Sequence, residues 1–158
     1  MIKITYNQAI KQLAAYCSRA ERCVQDVKTK MSRWELVPEE QEKLLQYLQK
    51  ENFLDEARYC RAFVHDKSRY NAWGVYKITY KLKKKRISEA LIREALQGLD
   101  TEANREQLQR ILQQKSQAIK GKDAWEVRQK LIRFATGRGF ALEEIDEAFI
   151  RLGCSNLP

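Results

Sequence analysis

Ile78-Thr-Tyr-Lys-Leu82-Lys-Lys-Lys-Arg-Ile87-Ser-Glu-Ala-Leu-Ile92-Arg-Glu-Ala95-Leu96-Gln-Gly-Leu99 carries apolar residues four apart, then an isolated Ile87, then a second apolar stripe. The spacing predicts a helix burying Ile78 and Leu82, a tight connection at Ile87, and a helix capped by Ser88 with Ile92, Ala95, Leu96 and Leu99 on one face. The pattern recurs on both sides. Shifted 53 places downstream it falls on Leu131, Ala135, Phe140, Ile145, Ala148, Phe149 and Leu152. Shifted 51 places upstream it falls on Val27, Met31, Leu36, Gln41, Leu44, Leu45 and Leu48, where only Gln41 breaks the apolar agreement. A period of about fifty residues is the mark of tandem supersecondary units.

A further helix precedes each pair. The first carries Ala9, Leu13, Ala14 and Tyr16; the others carry Ala57, Tyr59, Cys60, Phe63 and Val64 after an Asp55 cap, and Leu108, Ile111, Leu112 and Ile119 after Asp100 or Thr101. Ser18-Arg-Ala-Glu21 has capping-box spacing and predicts that the second helix starts there, with Ala20, Cys23 or Val24, Val27 and Met31 inward. Pro38 suits the first turn of the third helix, with Glu39 and Glu40 at its positive end. Asp123 should cap a helix carrying Trp125, Leu131 and Ala135 inward, and Gly137 and Gly139 lead to the lone Phe140. The expected fold is all-α: three tandem three-helix repeats over 1–53, 54–99 and 100–158, in an elongated row, straight or curved. Two prolines and six glycines in 158 residues are too few for a many-stranded fold with its frequent turns.

The net charge of +9 speaks to partners. From Arg58 to Arg86 ten basic residues face one acid, Asp66, so this stretch alone accounts for the excess. Arg58, Arg61, Arg69, Lys77, Lys81, Lys84, Lys85 and Arg86 are candidate contacts to an anionic partner, with Lys77, Lys81, Lys84 and Lys85 expected on one helix face opposite Ile78 and Leu82. Tyr70, Trp73 and Tyr76 fall at a helix boundary beside these lysines, where an aromatic ring can stack on a base or anchor a protein interface; Trp73 joins the candidate set. A weaker patch holds Lys120, Lys122, Arg128, Lys130, Arg133 and Arg138, from which Lys130 and Arg133 are candidates.

Other classes lose support. No apolar run approaches the roughly 20 residues that span a bilayer, and Lys3, Asn7, Gln8, Lys11 and Gln12 interrupt the N-terminus, so a cytoplasmic protein with no membrane partner is expected. Cys17, Cys23, Cys60 and Cys154 form no C-x-x-C pair and His65 has no partner at zinc spacing; the thiols are expected reduced, with no metal and no cofactor. Neither a phosphate-cradling glycine loop nor a Ser-His-Asp set is present, and no catalytic residue is assigned. Three readings stay open: a regulator of a nucleoprotein, a DNA-binding protein using helix-turn-helix-like triplets, and an adaptor whose charge serves solubility.

The stretch Phe53-Leu-Asp-Glu-Ala-Arg-Tyr-Cys-Arg-Ala-Phe-Val64, followed by Ala72-Trp-Gly-Val-Tyr-Lys-Ile78 and Leu82, resembles the central signature of the RecX regulatory proteins. Ser18-Arg-Ala-Glu21 is similar to that family's Ser-x-x-Glu at the start of the second helix, and Gly139-Phe140 to its Gly-Phe turn. The chain departs from the pattern at Trp34-Glu-Leu-Val-Pro38, where a Gly-Phe turn is usual, at Cys60 and at His65-Asp66. The resemblance implies tandem three-helix repeats and a non-enzymatic, monomeric modulator of the RecA recombinase. Such a protein would bind RecA and its filament on single-stranded DNA, with single- and double-stranded DNA as further partners. It would mainly inhibit ATPase and strand exchange in recombination, DNA repair and the SOS response.

Overall fold

The computed structural model describes residues 1–121 and 123–153. Among them nine helices follow one another: α1 (Tyr6–Arg19), α2 (Val24–Met31), α3 (Pro38–Lys50), α4 (Glu56–Arg69), α5 (Val75–Lys84), α6 (Glu89–Gln97), α7 (Thr101–Ala118), α8 (Ala124–Gly137) and α9 (Leu142–Leu152). The all-α repeat fold is as read from the sequence. Contacts concentrate in two compact units: unit 1 is Met1–Ala62 with Leu82–Arg93, and unit 2 is Phe63–Lys81 with the described chain from Glu94 onward. The division falls inside α4, α5 and α6.

In unit 1, α1 and α2 pack on α3 around Ala9, Leu13, Cys17, Val27, Met31, Trp34, Leu44, Leu45, Leu48 and Leu54. Thr5 and Gln8 close a capping box on α1, and Pro38 opens α3 with Glu39 and Glu40 in its first turn. The start of α2 corrects the sequence reading. Ser18 lies inside α1, where its hydroxyl donates to the Ala14 carbonyl at 2.7 Å, and Ala20 is exposed. A serine can back-bond in this way as readily as it caps. The N-terminal donors of α2 find acids instead: Cys23 N–H donates to Asp26 at 3.2 Å and Val24 N–H to Glu56 at 3.0 Å. Glu56 is 32 residues away, so no local pattern could show it.

In unit 2, α7 packs on α8 and α9 around Ala72, Leu108, Ile111, Leu112, Val127, Leu131, Ala135, Phe140, Ile145, Ala148 and Phe149. Asp100 caps α7 and Asp123 caps α8, as the sequence predicts. Trp125 is a second correction: it is 69% exposed, and Val127 takes the buried place. At 100° per residue Trp125, two positions before Val127, points about 160° away from it.

The repeat register survives in the geometry. Ile87 N–H donates to Leu82 O and Phe140 N–H to Ala135 O, both at 3.2 Å. Each bond closes a helix C-terminus of Schellman type, with the preceding residue left-handed: Arg86 at φ +59° and Gly139 at φ +95°. Both lone apolar residues are buried. The corresponding turn of the first repeat is built differently, with Ile2 N–H donating to Arg33 O and Glu35 N–H to Ile2 O. Gln41, the odd member of the register, donates its side-chain amide to the Leu36 carbonyl of that turn at 3.2 Å. The two left-handed sites should answer oppositely to substitution. Arg86→Gly is expected to raise stability by up to about 1 kcal/mol and Gly139→Ala to lower it by about 3 kcal/mol, read from urea midpoints.

Candidate functional site

Two of the candidate cations are tied into unit 1. Arg58 Nε donates to Glu21 at 2.6 Å and Arg58 Nη2 to the Asn52 carbonyl at 3.0 Å, while its backbone N–H is capped by Asp55 at 3.1 Å. With Glu56 capping α2, the Asp55-Glu-Ala-Arg58 stretch serves as a clasp joining the starts of α2 and α4. Lys85 Nζ donates to Asp26 at 2.6 Å. Burial alone would raise the Asp26 carboxyl, but the Lys85 ammonium, then the Cys23 backbone N–H and thiol, hold it below the ordinary carboxylate range. The same bond lifts Lys85 against its own burial. Burial pushes the neighbouring Cys23 thiol up to about 11, and Cys17 upward too, so neither is a ready thiolate. Cys17, Cys23 and Cys60 are buried and form no disulfide; Cys154 lies outside the described residues. Lys84, Arg86 and Arg61 are exposed, and Lys83 lies 3.6 Å from Glu89.

The surface of unit 2 is organised by a glycine contact. Gly74 N–H donates to Arg138 O at 2.8 Å and Tyr76 N–H to Gly139 O at 3.1 Å, so carbonyls of the α8–α9 turn cap the first turn of α5. Neither glycine has room for a Cβ: one on Gly74 would collide with the Gly139 carbonyl, and one on Gly139 with the Lys77 backbone. This approach brings Arg138 and Lys77 together. Arg138 Nη1 donates to Asn71 O at 2.8 Å, and its guanidinium lies 5.1 Å from the Phe134 ring centre. Burial first, then the charges of Arg138 and Lys81, lower the Lys77 ammonium below the usual lysine range.

Trp73 is half-buried rather than free for stacking. Its ring meets Phe63 edge-on at 6.2 Å, and the ammonium groups of Lys67 and Lys77 lie 5.1 and 4.7 Å from its centre. The buried Asn104 fixes the turn by donating to Trp73 O at 3.1 Å. Tyr70, Tyr76 and Tyr80, close to Trp73 in the sequence, face water. Arg69 and Arg133 are exposed, and Gln107 donates to Arg69 O. Lys130 pairs with Glu126 at 3.4 Å and donates to Lys120 O at 2.8 Å; Lys122 lies outside the described residues. The structure therefore regroups the cations. Arg138, assigned by sequence to the second patch, stands beside Lys77 of the first, while Lys85 and Arg58 are held by acids. Exposed Tyr76 and Tyr80 stand one turn apart on α5, a spacing visible in the sequence once the helix phase is known.

Among the described residues no helix is long and apolar enough to cross a membrane. The fold and this surface define a class: an all-α protein of tandem three-helix units that presents a cationic, tyrosine-edged face. Comparison with known proteins narrows it. The family description "RecX, second three-helix domain" matches residues 55–96, and "RecX, third three-helix domain" matches residues 102–149. The chain is 31% identical over 127 residues to the regulatory protein RecX of Chlorobium phaeobacteroides, covering 80% of this chain and 82% of that protein. Against the regulatory protein RecX of Clostridium beijerinckii it is 34% identical over 104 residues, 65% of this chain and 48% of that protein, and so spans about half that relative's length. A crystal structure of RecX from Lactobacillus salivarius shares the fold, with a TM-score of 0.82 at 16% identity over 93% of this chain and 96% of that one. The chain belongs to the RecX family of regulatory proteins.

The Asp26–Lys85 pair gives a prediction with a sign. Asp26→Asn should cost about 2 kcal/mol at neutral pH, less than a fully buried pair because Lys85 is 44% exposed. A carboxyl with a lowered folded pKa stabilises above its unfolded value, near about pH 4, and loses that contribution as pH falls through the folded value. The gap in urea midpoint between wild type and Asp26→Asn should therefore narrow from pH 7 to pH 3.

Proposed function

We propose that this protein is a non-enzymatic modulator of the RecA recombinase, binding RecA and its filament on single-stranded DNA and restraining ATPase and strand exchange. Family membership supports the regulatory role. The observation that carries the binding reading is the cluster of Lys77, Lys81 and Arg138, in which like charges crowd together and none pairs with a carboxylate among the described residues. Crowding of one sign is unfavourable in the free protein, and an anionic partner relieves it. RecA-coated DNA offers such a partner. We take the protein to act as a cytoplasmic monomer, in recombination and DNA repair.

Inhibition of RecA ATPase on single-stranded DNA tests this directly. Titrating the protein in should lower the rate, and Lys77→Glu with Lys81→Glu should raise the concentration needed for half-inhibition at least tenfold, about 1.4 kcal/mol or more of lost binding. Unchanged inhibition by that variant would contradict the assignment of the cationic face. Lys85→Glu is a poor probe, since it breaks the pair with Asp26 and perturbs the fold.

A further inference from the structure

We propose that Lys77 is a modification site, acylated at Nζ by small acyl phosphates whose phosphate group is held by Arg138 and Lys81. This goes beyond the reading above: it concerns the covalent chemistry of one side chain and stands apart from RecA.

Geometry singles out Lys77. The glycine contact brings the α8–α9 turn onto the first turn of α5, and the charges of Arg138 and Lys81 both act on Lys77. Its Nζ lies 4.7 Å from the Trp73 ring centre, with Lys67 Nζ 5.1 Å from the same ring. Among the described residues none of Lys67, Lys77, Lys81 and Arg138 pairs with a carboxylate. Lysines elsewhere are engaged by acids: Lys85 by Asp26 at 2.6 Å, Lys130 by Glu126 at 3.4 Å and Lys83 by Glu89 at 3.6 Å.

An amine attacks a carbonyl only in its neutral form. Burial, then the charges of Arg138 and Lys81, favour that form at Lys77, whereas the bond to Asp26 favours the ammonium at Lys85. The same cations select the donor. A guanidinium carries several N–H donors, and Arg138 uses Nη1 on Asn71 O, so the others can meet a phosphate oxygen. In an acyl phosphate one oxygen joins the phosphorus to the acyl carbon, so a phosphate held at Arg138 brings the carbonyl to Lys77. In a coenzyme A thioester the phosphates lie at the far end of a long arm, and the same hold leaves the carbonyl unplaced.

The step balances without an oxidant or reductant. The Nζ lone pair forms the N–C bond to the acyl carbon, and the C–O bond to phosphate breaks with its electron pair. One Nζ proton leaves with the phosphate. The amide formed is uncharged, so acylation removes a cation from the centre of the cluster.

Mass spectrometry of the full chain after incubation with acetyl phosphate, read lysine by lysine, tests the site. Lys77 should acetylate about tenfold faster than the exposed Lys43 and Lys50, the margin that one charge-assisted hydrogen bond to the donor supplies. N-hydroxysuccinimidyl acetate, an uncharged donor, and acetyl coenzyme A should each give a smaller margin. Arg138→Gln should remove the margin with acetyl phosphate. Because Arg138 also holds Asn71 O, its variant needs a melting curve alongside; if it does not fold, the comparison of donors on the unaltered chain carries the test. Equal rates at Lys77, Lys43 and Lys50 with acetyl phosphate would overturn the proposal. So would a margin equally large with the uncharged donor or with acetyl coenzyme A, since phosphate capture beside the carbonyl would then play no part.

Discussion

The close approach of Gly74 and Gly139 is the constraint on which unit 2 depends. Two backbones lie too near for any Cβ, and the polar groups exposed by that nearness satisfy each other: carbonyls of residues 138 and 139 accept from N–H groups of residues 74 and 76. A helix start left bare would have to find water or side-chain caps. Here it is sealed by a turn 64 residues downstream, and the seal fixes the rotation of α5. That rotation puts Ile78 inward, Lys77 beside Arg138, and Tyr76 and Tyr80 in solvent. Fold and surface thus follow from one steric fact.

Unit 1 solves a similar problem with charge. Glu56 caps α2 from a distant helix, Arg58 reaches back to Glu21, and Lys85 closes on Asp26. These contacts use basic and acidic residues as clasps, and they withdraw Arg58 and Lys85 from the pool available to a partner. What the two units share is an economy in which short-range partners decide which charges are spent on the fold. A basic run in the sequence is therefore not a basic face in the structure; the face is what remains after the internal pairs are counted. In unit 2 that remainder gathers around Trp73 and Arg138 rather than running along α5 as a lysine stripe.

Much of the architecture was legible because the repeat is written in apolar spacing. Ile78, Leu131 and Val27 recur in register and are all buried, and the lone Ile87 and Phe140 mark turns with the same hydrogen bond. Local chemistry was legible where it was local: Asp55, Asp100 and Asp123 each cap the helix they precede. Misreadings came from tertiary partners. Ser18 bonds within its own helix while the distant Glu56 serves α2, and Trp125 lies off the buried stripe that Val127 joins. For the surface, the sequence located the charge but not its pairing. Glu21 and Asp26 precede their basic partners by 37 and 59 residues, and Asn71, which receives Arg138, lies 67 residues from it. Trp73-Gly74, inside the central signature, and the flanking Gly139-Phe140 turn stand apart in the sequence, yet they are the two sides of one contact.

The central claim is that the glycine contact builds a cation cluster by pressing Arg138 against Lys77. The titration of the Lys77 ammonium, followed by NMR in wild type and in Arg138→Gln, tests it most directly. The account predicts that Lys77 titrates below the ordinary lysine range in wild type and moves upward when Arg138 loses its charge. An ordinary lysine value in wild type, with no movement in the variant, would contradict it.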